Sequence, residues 1–228
     1  VFFAFGLLSP LLALLAPQIL AMVPGAEQFS GLIPEPSATD AVDQYLKNMS
    51  QFGIILALLL TMGAVTQEKE RGTAALMLVK PLPRGAFLSA KLCASAVTFL
   101  AGLLFGAAAS YAYTALLFES LPVGAWGALN ALLWVYLMVY VALTLLASTV
   151  SRSLVTAGAV AVGLMAAVGV AGALPPLVRY LPGRLLVWGA GQALGTAAAP
   201  AWPALAVSLA LIALAWLAAV LSFRRQEL

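Results

Sequence analysis

Histidine is absent from this 228-residue chain, cysteine occurs once, as Cys93, and only 8% of the residues are charged. Without histidine the commonest metal ligand and the usual proton shuttle near neutral pH are missing, so neither zinc nor histidine-based proton chemistry is indicated. A lone cysteine in an apolar run cannot build a disulfide framework. Soluble domains carry charge on about a quarter of their residues, and the shortage here excludes a solvated surface over most of the chain. Runs of strict apolar–polar alternation are also lacking, which argues against an outer-membrane barrel. No cleavable leader is visible. The chain starts at Val1 inside an apolar run, so its true beginning is expected upstream, together with any interfacial helix before the first span.

What the sequence has in abundance is apolar residues, at 64%. Charge-free runs cover Val1 to Ala26, Asn48 to Gln67, Leu92 to Phe118, Ser120 to Ser151, Ser153 to Val178 and Leu185 to Phe223. A helix needs about 20 apolar residues to cross the hydrocarbon of a bilayer, and each run is long enough for one. The fold expected is therefore an all-α integral membrane protein with six transmembrane helices, forming one transmembrane domain over residues 1–228.

Span 1 is placed at Val1 to Val23, where Pro10 and Pro17 should bend it or end it early. Pro24 to Lys47, rich in Pro, Gly, Ser and acidic residues, reads as an external loop. Span 2 covers Gln51 to Val65 and continues as a helix into Gln67 to Arg71. Span 3 runs from Gly85 to Phe118, span 4 from Trp126 to Thr149, span 5 from Val155 to Leu174 and span 6 from Ala204 to Leu221. Between the last two, Pro175 to Pro203 is broken by prolines and glycines yet apolar. It is expected to form short helices on the outer face, with Tyr180, Trp188 and Trp202 at the membrane interface. This topology puts Lys69, Arg71, Lys80, Arg84, Lys91, Arg152, Arg224 and Arg225 inside, as the preference of Lys and Arg for the cytoplasmic side requires. The C-terminus is then cytoplasmic, and the net charge of +3 reflects topology rather than nucleic-acid binding.

The segment Gln67 to Lys91 packs seven charged residues between two uncharged stretches. Within it, Gly72 can end one helix because it tolerates a left-handed backbone, Thr73 can cap the next, and Pro81 stops that one after Lys80. The short apolar run Ala74 to Val79 cannot cross a bilayer and has no core of its own, so Leu76, Met77 and Val79 are available to a partner. Glu68, Glu70, Arg71 and Lys80 would rim that contact. A re-entrant hairpin resting on lipid headgroups is the plainer account of the same residues.

The pattern Glu68-x-Glu70-Arg71-Gly72-Thr73, then Leu76-x-Leu78, then Lys80-Pro81-x-x-Arg84 and Lys91 resembles the signature between the second and third spans of type-2 ATP-binding-cassette permeases. The six-span plan, the acidic segment after span 1 and the broken segment before span 6 extend the likeness. The resemblance implies a cytoplasmic coupling helix at Ala74 to Lys80 seated on a separate ATPase subunit. It assigns ATPase coupling to Glu68, Lys69, Glu70, Arg71, Gly72, Thr73, Leu76, Met77, Lys80, Pro81 and Arg84. It further implies a second permease subunit, identical or related, in the cell membrane, and an exporter. The phosphate-binding Gly-rich motif ending in Gly-Lys-Ser/Thr is absent from the chain. ATP and Mg are therefore expected on the partner ATPase, with no cofactor, metal or enzymatic activity of this chain's own.

Other features are less specific. Gly102, Gly106 and Ser110 form a small-residue stripe suited to close helix packing, within the subunit or at a dimer interface; Gly163, Ala167 and Gly172 make a looser one. Gln18 and Asn130 are the candidate transport-path residues, although hydrogen bonds to a neighbouring helix would equally explain them. Asn48-Met49-Ser50 fits a glycosylation pattern and, beside span 2, reads as an incidental helix cap. The absence of charge inside the spans and of internal repeats disfavours an ion-coupled secondary carrier. The lack of a nucleophile with its base disfavours an intramembrane enzyme. A complex that transmits force without moving a solute fits the same residues.

Overall fold

The computed structural model describes residues 1–22, 35–72, 84–196 and 199–226. The described residues form eight helices: α1 (Phe2–Ala21), α2 (Ala38–Thr61), α3 (Thr66–Glu70), α4 (Arg84–Leu117), α5 (Val123–Val150), α6 (Leu154–Ala173), α7 (Gly183–Ala193) and α8 (Trp202–Arg224). Six helical segments are long and apolar enough to cross a membrane, with α2 and α3 counted together. The all-α, six-span plan expected from the charge-free runs is thus the observed one.

Three local expectations are corrected. The segment read as an external loop through Lys47 is helical from Ala38. Ser37 opens this helix, its backbone N–H and hydroxyl both donating to Asp40 Oδ2 at 2.9 and 2.8 Å. Ala41, Val42, Tyr45, Leu46 and Met49 recur at helical spacing and are buried, while Asp40, Asp43 and Lys47 remain exposed. The charges that suggested a loop are one face of an amphipathic helix. Second, of the two effects expected of Pro10 and Pro17, early ending does not occur: α1 runs through both, a tolerance common in membrane helices. Third, span 2 does not continue unbroken, because residues 62–65 form turns between α2 and α3.

By internal contacts the chain divides into two compact units: Val1–Gln51, Ala101–Leu133 and Leu186–Ala199 form one, and Phe52–Leu100, Trp134–Leu185 and Pro200–Leu228 the other. In the first, α1 lies against α4 with backbones touching: a Cβ on Gly6 would fall 2.2 Å from the Gly106 carbonyl oxygen, and one on Gly106 would fall 2.8 Å from that of Phe2. Side-chain hydrogen bonds join its helices. Asn48 Nδ2 donates to Ser9 Oγ at 2.9 Å, the Tyr45 hydroxyl to Asn130 Oδ1, and the Trp126 indole to the Ala107 carbonyl at 3.2 Å. Apolar burial gives little drive to associate in lipid, so close packing and such bonds hold helices together. Asn48 is accordingly an interhelical donor inside α2, not a cap.

In the second unit the C-terminal half of α5 is buried almost throughout. Leu145 packs with Val65, Leu88, Ala219, Val220 and Phe223, while Val139, Ala142, Leu143 and Ala215 form a neighbouring cluster. Phe87 stacks on Phe223 with ring centroids 5.7 Å apart. After α6 the chain turns through Leu174 to Pro182 into α7, the short helix expected before the last span, which from Leu186 onward belongs to the first unit. Gly195 ends α7 at a φ of 64°. Its N–H donates to the Gln192 carbonyl and that of Thr196 to Gly191, at 3.3 and 2.9 Å, a left-handed cap that leaves few carbonyls unsatisfied. Trp188 is buried within the protein, whereas Trp202 is exposed.

Candidate functional site

The charged segment after span 2 is built around α3, only five residues long. The interruption of the helix at residues 62–65 frees backbone donors that lipid could not satisfy, and α5 supplies their acceptor. Ser148 Oγ, fully buried, accepts from the N–H groups of both Val65 and Thr66 at 3.1 Å. The Thr66 hydroxyl donates to the Ser148 carbonyl at 2.7 Å. One serine thereby fixes where α3 begins.

Three consecutive charged side chains then reach three different helices. The Glu68 carboxylate pairs with Lys91 of α4. Lys69 Nζ donates to the carbonyls of Thr149 and Ser151 at 2.7 and 2.6 Å, and to Gln226 Oε1 at 3.3 Å. These carbonyls lie at the C-terminal end of α5, where a helix carries partial negative charge and a cation is favoured. Glu70 Oε1 accepts from the Leu154 N–H at 3.1 Å, placing an anion at the N-terminus of α6, the complementary arrangement. The C-terminal tail joins the junction through Gln226 Nε2, which donates to the Thr149 carbonyl at 3.0 Å. The turn between α5 and α6 is rigid in its own right: Ser153 caps α6 in a reciprocal pair with Thr156. Hydrogen bonds to charged groups contribute about 1.5–3 kcal/mol each, so α3 is held firmly.

Arg71 and Gly72 end the helix at the surface. Gly72 has a φ of 70° and its N–H donates to the Lys69 carbonyl at 3.1 Å. That left-handed conformation is the reason a glycine suits this position. Among the described residues nothing lies within 4 Å of where its Cβ would be, so the requirement seen there is conformational. Thr73, Leu76, Met77, Lys80 and Pro81, with the expected coupling helix Ala74 to Lys80, lie outside the described residues; Arg84 is the first residue of α4.

The remaining sequence candidates lie elsewhere. Gln18 is exposed on α1. Asn130 accepts from Tyr45 and donates through Nδ2 to the Trp126 carbonyl at 2.9 Å. Gly102 and Gly106 face α1, where a Cβ on Gly102 would meet the Phe2 ring at 2.6 Å. Ser110 is fully buried, its hydroxyl without a partner among the described residues. No group of three or more metal-ligating side chains occurs among the described residues. Reasoning from sequence missed Thr66, Ser148, Thr149, Ser151 and Gln226. A signal for the α5 side existed in Ser148-Thr149-Val150-Ser151-Arg152-Ser153, a polar cluster ending a long apolar span.

The sequence model of the ABC-2 family transporter proteins matches residues 15–228, nearly the whole chain. The chain belongs to this family. It is also 28% identical over 184 residues to the uncharacterized transmembrane protein YxlG of Bacillus subtilis (strain 168), an alignment covering 79% of this chain and 70% of that protein. Membership of the ABC-2 family and six apolar helices make it a multi-pass membrane protein and a transporter permease.

Proposed function

We propose that this chain is the membrane subunit of an ATP-driven exporter, in which a separate ATP-binding-cassette ATPase pushes on the segment between α3 and α4. A second permease subunit, identical or related, completes the translocation path, and ATP and Mg are handled on the ATPase. The segment and the C-terminal tail then face the cytoplasm and the complex sits in the cell membrane, a topology supported by the clustering of basic residues on that side.

The observation that carries this reading is the α3 junction. Glu68, Lys69 and Glu70 bond respectively to α4, to the end of α5 together with the tail, and to the start of α6. A displacement of α3 is therefore shared by several helix ends through short, charge-assisted bonds. Packed interfaces of this kind move as discrete bodies rather than deforming continuously. A loop that merely rested on lipid headgroups would have no need of such ties.

The test is the ATPase activity of the assembled complex. Arg71→Glu and Gly72→Pro are expected to insert in the membrane and assemble normally while stimulation of the partner's ATPase is lost. Proline cannot adopt the positive φ of residue 72. Unchanged stimulation in both variants refutes the reading, and transport by vesicles without ATP would instead indicate an ion-coupled carrier.

A further inference from the structure

A pocket of about 540 Å³ opens beside α3, lined by Leu59, Leu60, Gly63, Gln67, Arg71 and Lys91 among others. Its two halves differ in chemistry. Leu59 and Leu60, in the last apolar turns of α2, are 55% and 59% exposed and face the pocket with Gly63 and Ala64. Further along the chain Gln67, Glu68 and Arg71, together with Lys91 from the first turns of α4, supply the polar half, with two cations against one carboxylate. The apolar half belongs to a membrane-crossing stretch and the polar half to its end, so the boundary between them falls at headgroup depth.

We infer that this pocket holds one anionic phospholipid, its phosphate at Arg71, Lys91 and Gln67 and an acyl chain along Leu59 and Leu60. Basic pockets beside membrane helices on the cytoplasmic side select acidic headgroups, because the leaflet there is anionic and each nearby cation adds attraction. Lys91 already serves Glu68, so Arg71 carries the pocket's net positive charge. Arg71 is exposed at the end of α3, and its guanidinium can donate two parallel hydrogen bonds to a phosphate, which an ammonium cannot match. A zwitterionic lipid would bring its own cation toward Arg71 and forfeit that gain. The inference rests on the proposed function only for placing this end of α3 at the cytoplasmic surface.

The experiment is lipid binding to the purified protein in detergent, read by native mass spectrometry with phosphatidylglycerol, phosphatidylcholine and glycerol phosphate as probes. Phosphatidylglycerol should be retained in preference to phosphatidylcholine. Arg71→Gln should bind it about fivefold more weakly, the effect of one cation near a membrane surface. Leu60→Trp, at an exposed position that tolerates the larger ring, should weaken it by blocking the acyl half. Glycerol phosphate should not compete at the same concentrations. Equal retention of the two lipids, or no effect of either variant, overturns the site; glycerol phosphate binding as tightly as the lipid makes it a phosphate site instead. Leu60→Trp tests only the lipid and Gly72→Pro only the coupling. Loss of one behaviour with the other intact therefore shows which inference has failed.

Discussion

Helices α5 and α6 are consecutive, joined by a short turn, and comparably apolar, yet 78% of the membrane-length window of α5 is buried within the subunit against 11% in α6. Hydropathy registers only that both can leave water; it does not distinguish protein from lipid as the new surroundings. What separates them is the kind of side chain. Helix α5 carries Trp126, Asn130, Tyr136, Tyr140, Thr144 and Ser148, groups able to bond across helices, while α6 is built from Val, Ala and Gly with few polar atoms after its cap. A helix surrounded by protein can use polar handles, and one facing lipid would leave them unsatisfied.

Matched substitutions in the two helices should break or sharpen this contrast. The largest difference is expected from truncation: Leu145→Ala removes a side chain 1% exposed at the centre of a core cluster and should destabilise by about 3 kcal/mol. Val170→Ala in α6, at a site 66% exposed, should cost under about 0.5 kcal/mol. Unfolding by denaturant in mixed micelles measures both. Equal losses would mean that burial within the subunit does not govern stability.

Next come the serines at the two sides of the turn. Ser148→Ala strands the buried N–H groups of Val65 and Thr66, at a cost of about 1–3 kcal/mol. Ser153→Ala removes a more exposed helix cap, worth about 1 kcal/mol. Only the first should also raise hydrogen exchange at the start of α3. The smallest and most diagnostic comparison uses glycine. Gly106→Ala, in α4, forces a methyl against the Phe2 carbonyl and should destabilise. Gly163→Ala, in α6, would meet nothing within 4 Å among the described residues and should be neutral or stabilise by up to about 1 kcal/mol through helix propensity. A cost at Gly163 would reveal a partner helix seated on α6.

Much of the fold was legible in the residues. Six spans followed from charge-free length, and Gly72 was identifiable as a helix end because few other residues accept its backbone angles. The helix at Ala38 was missed because Asp40, Asp43 and Lys47 outweighed the apolar stripe between them in a reading by composition. The candidate site was legible as a charge cluster and as a family signature, but its wiring was not. The partners of Lys69 are mostly carbonyl oxygens, which every residue possesses and no sequence pattern marks. Nor does any sequence pattern mark that the Glu68 and Glu70 carboxylates reach α4 and α6.

The sequence by itself determined that the chain crosses a bilayer six times and which end of each span bears charge, since both follow from the cost of taking polar groups out of water. The tertiary structure alone decided which helix is enclosed by the others and to which helix end each charge on α3 is tied. Those outcomes depend on distances between segments far apart in the chain, and helices equally soluble in lipid are sorted only by how closely their surfaces fit and by which polar groups meet.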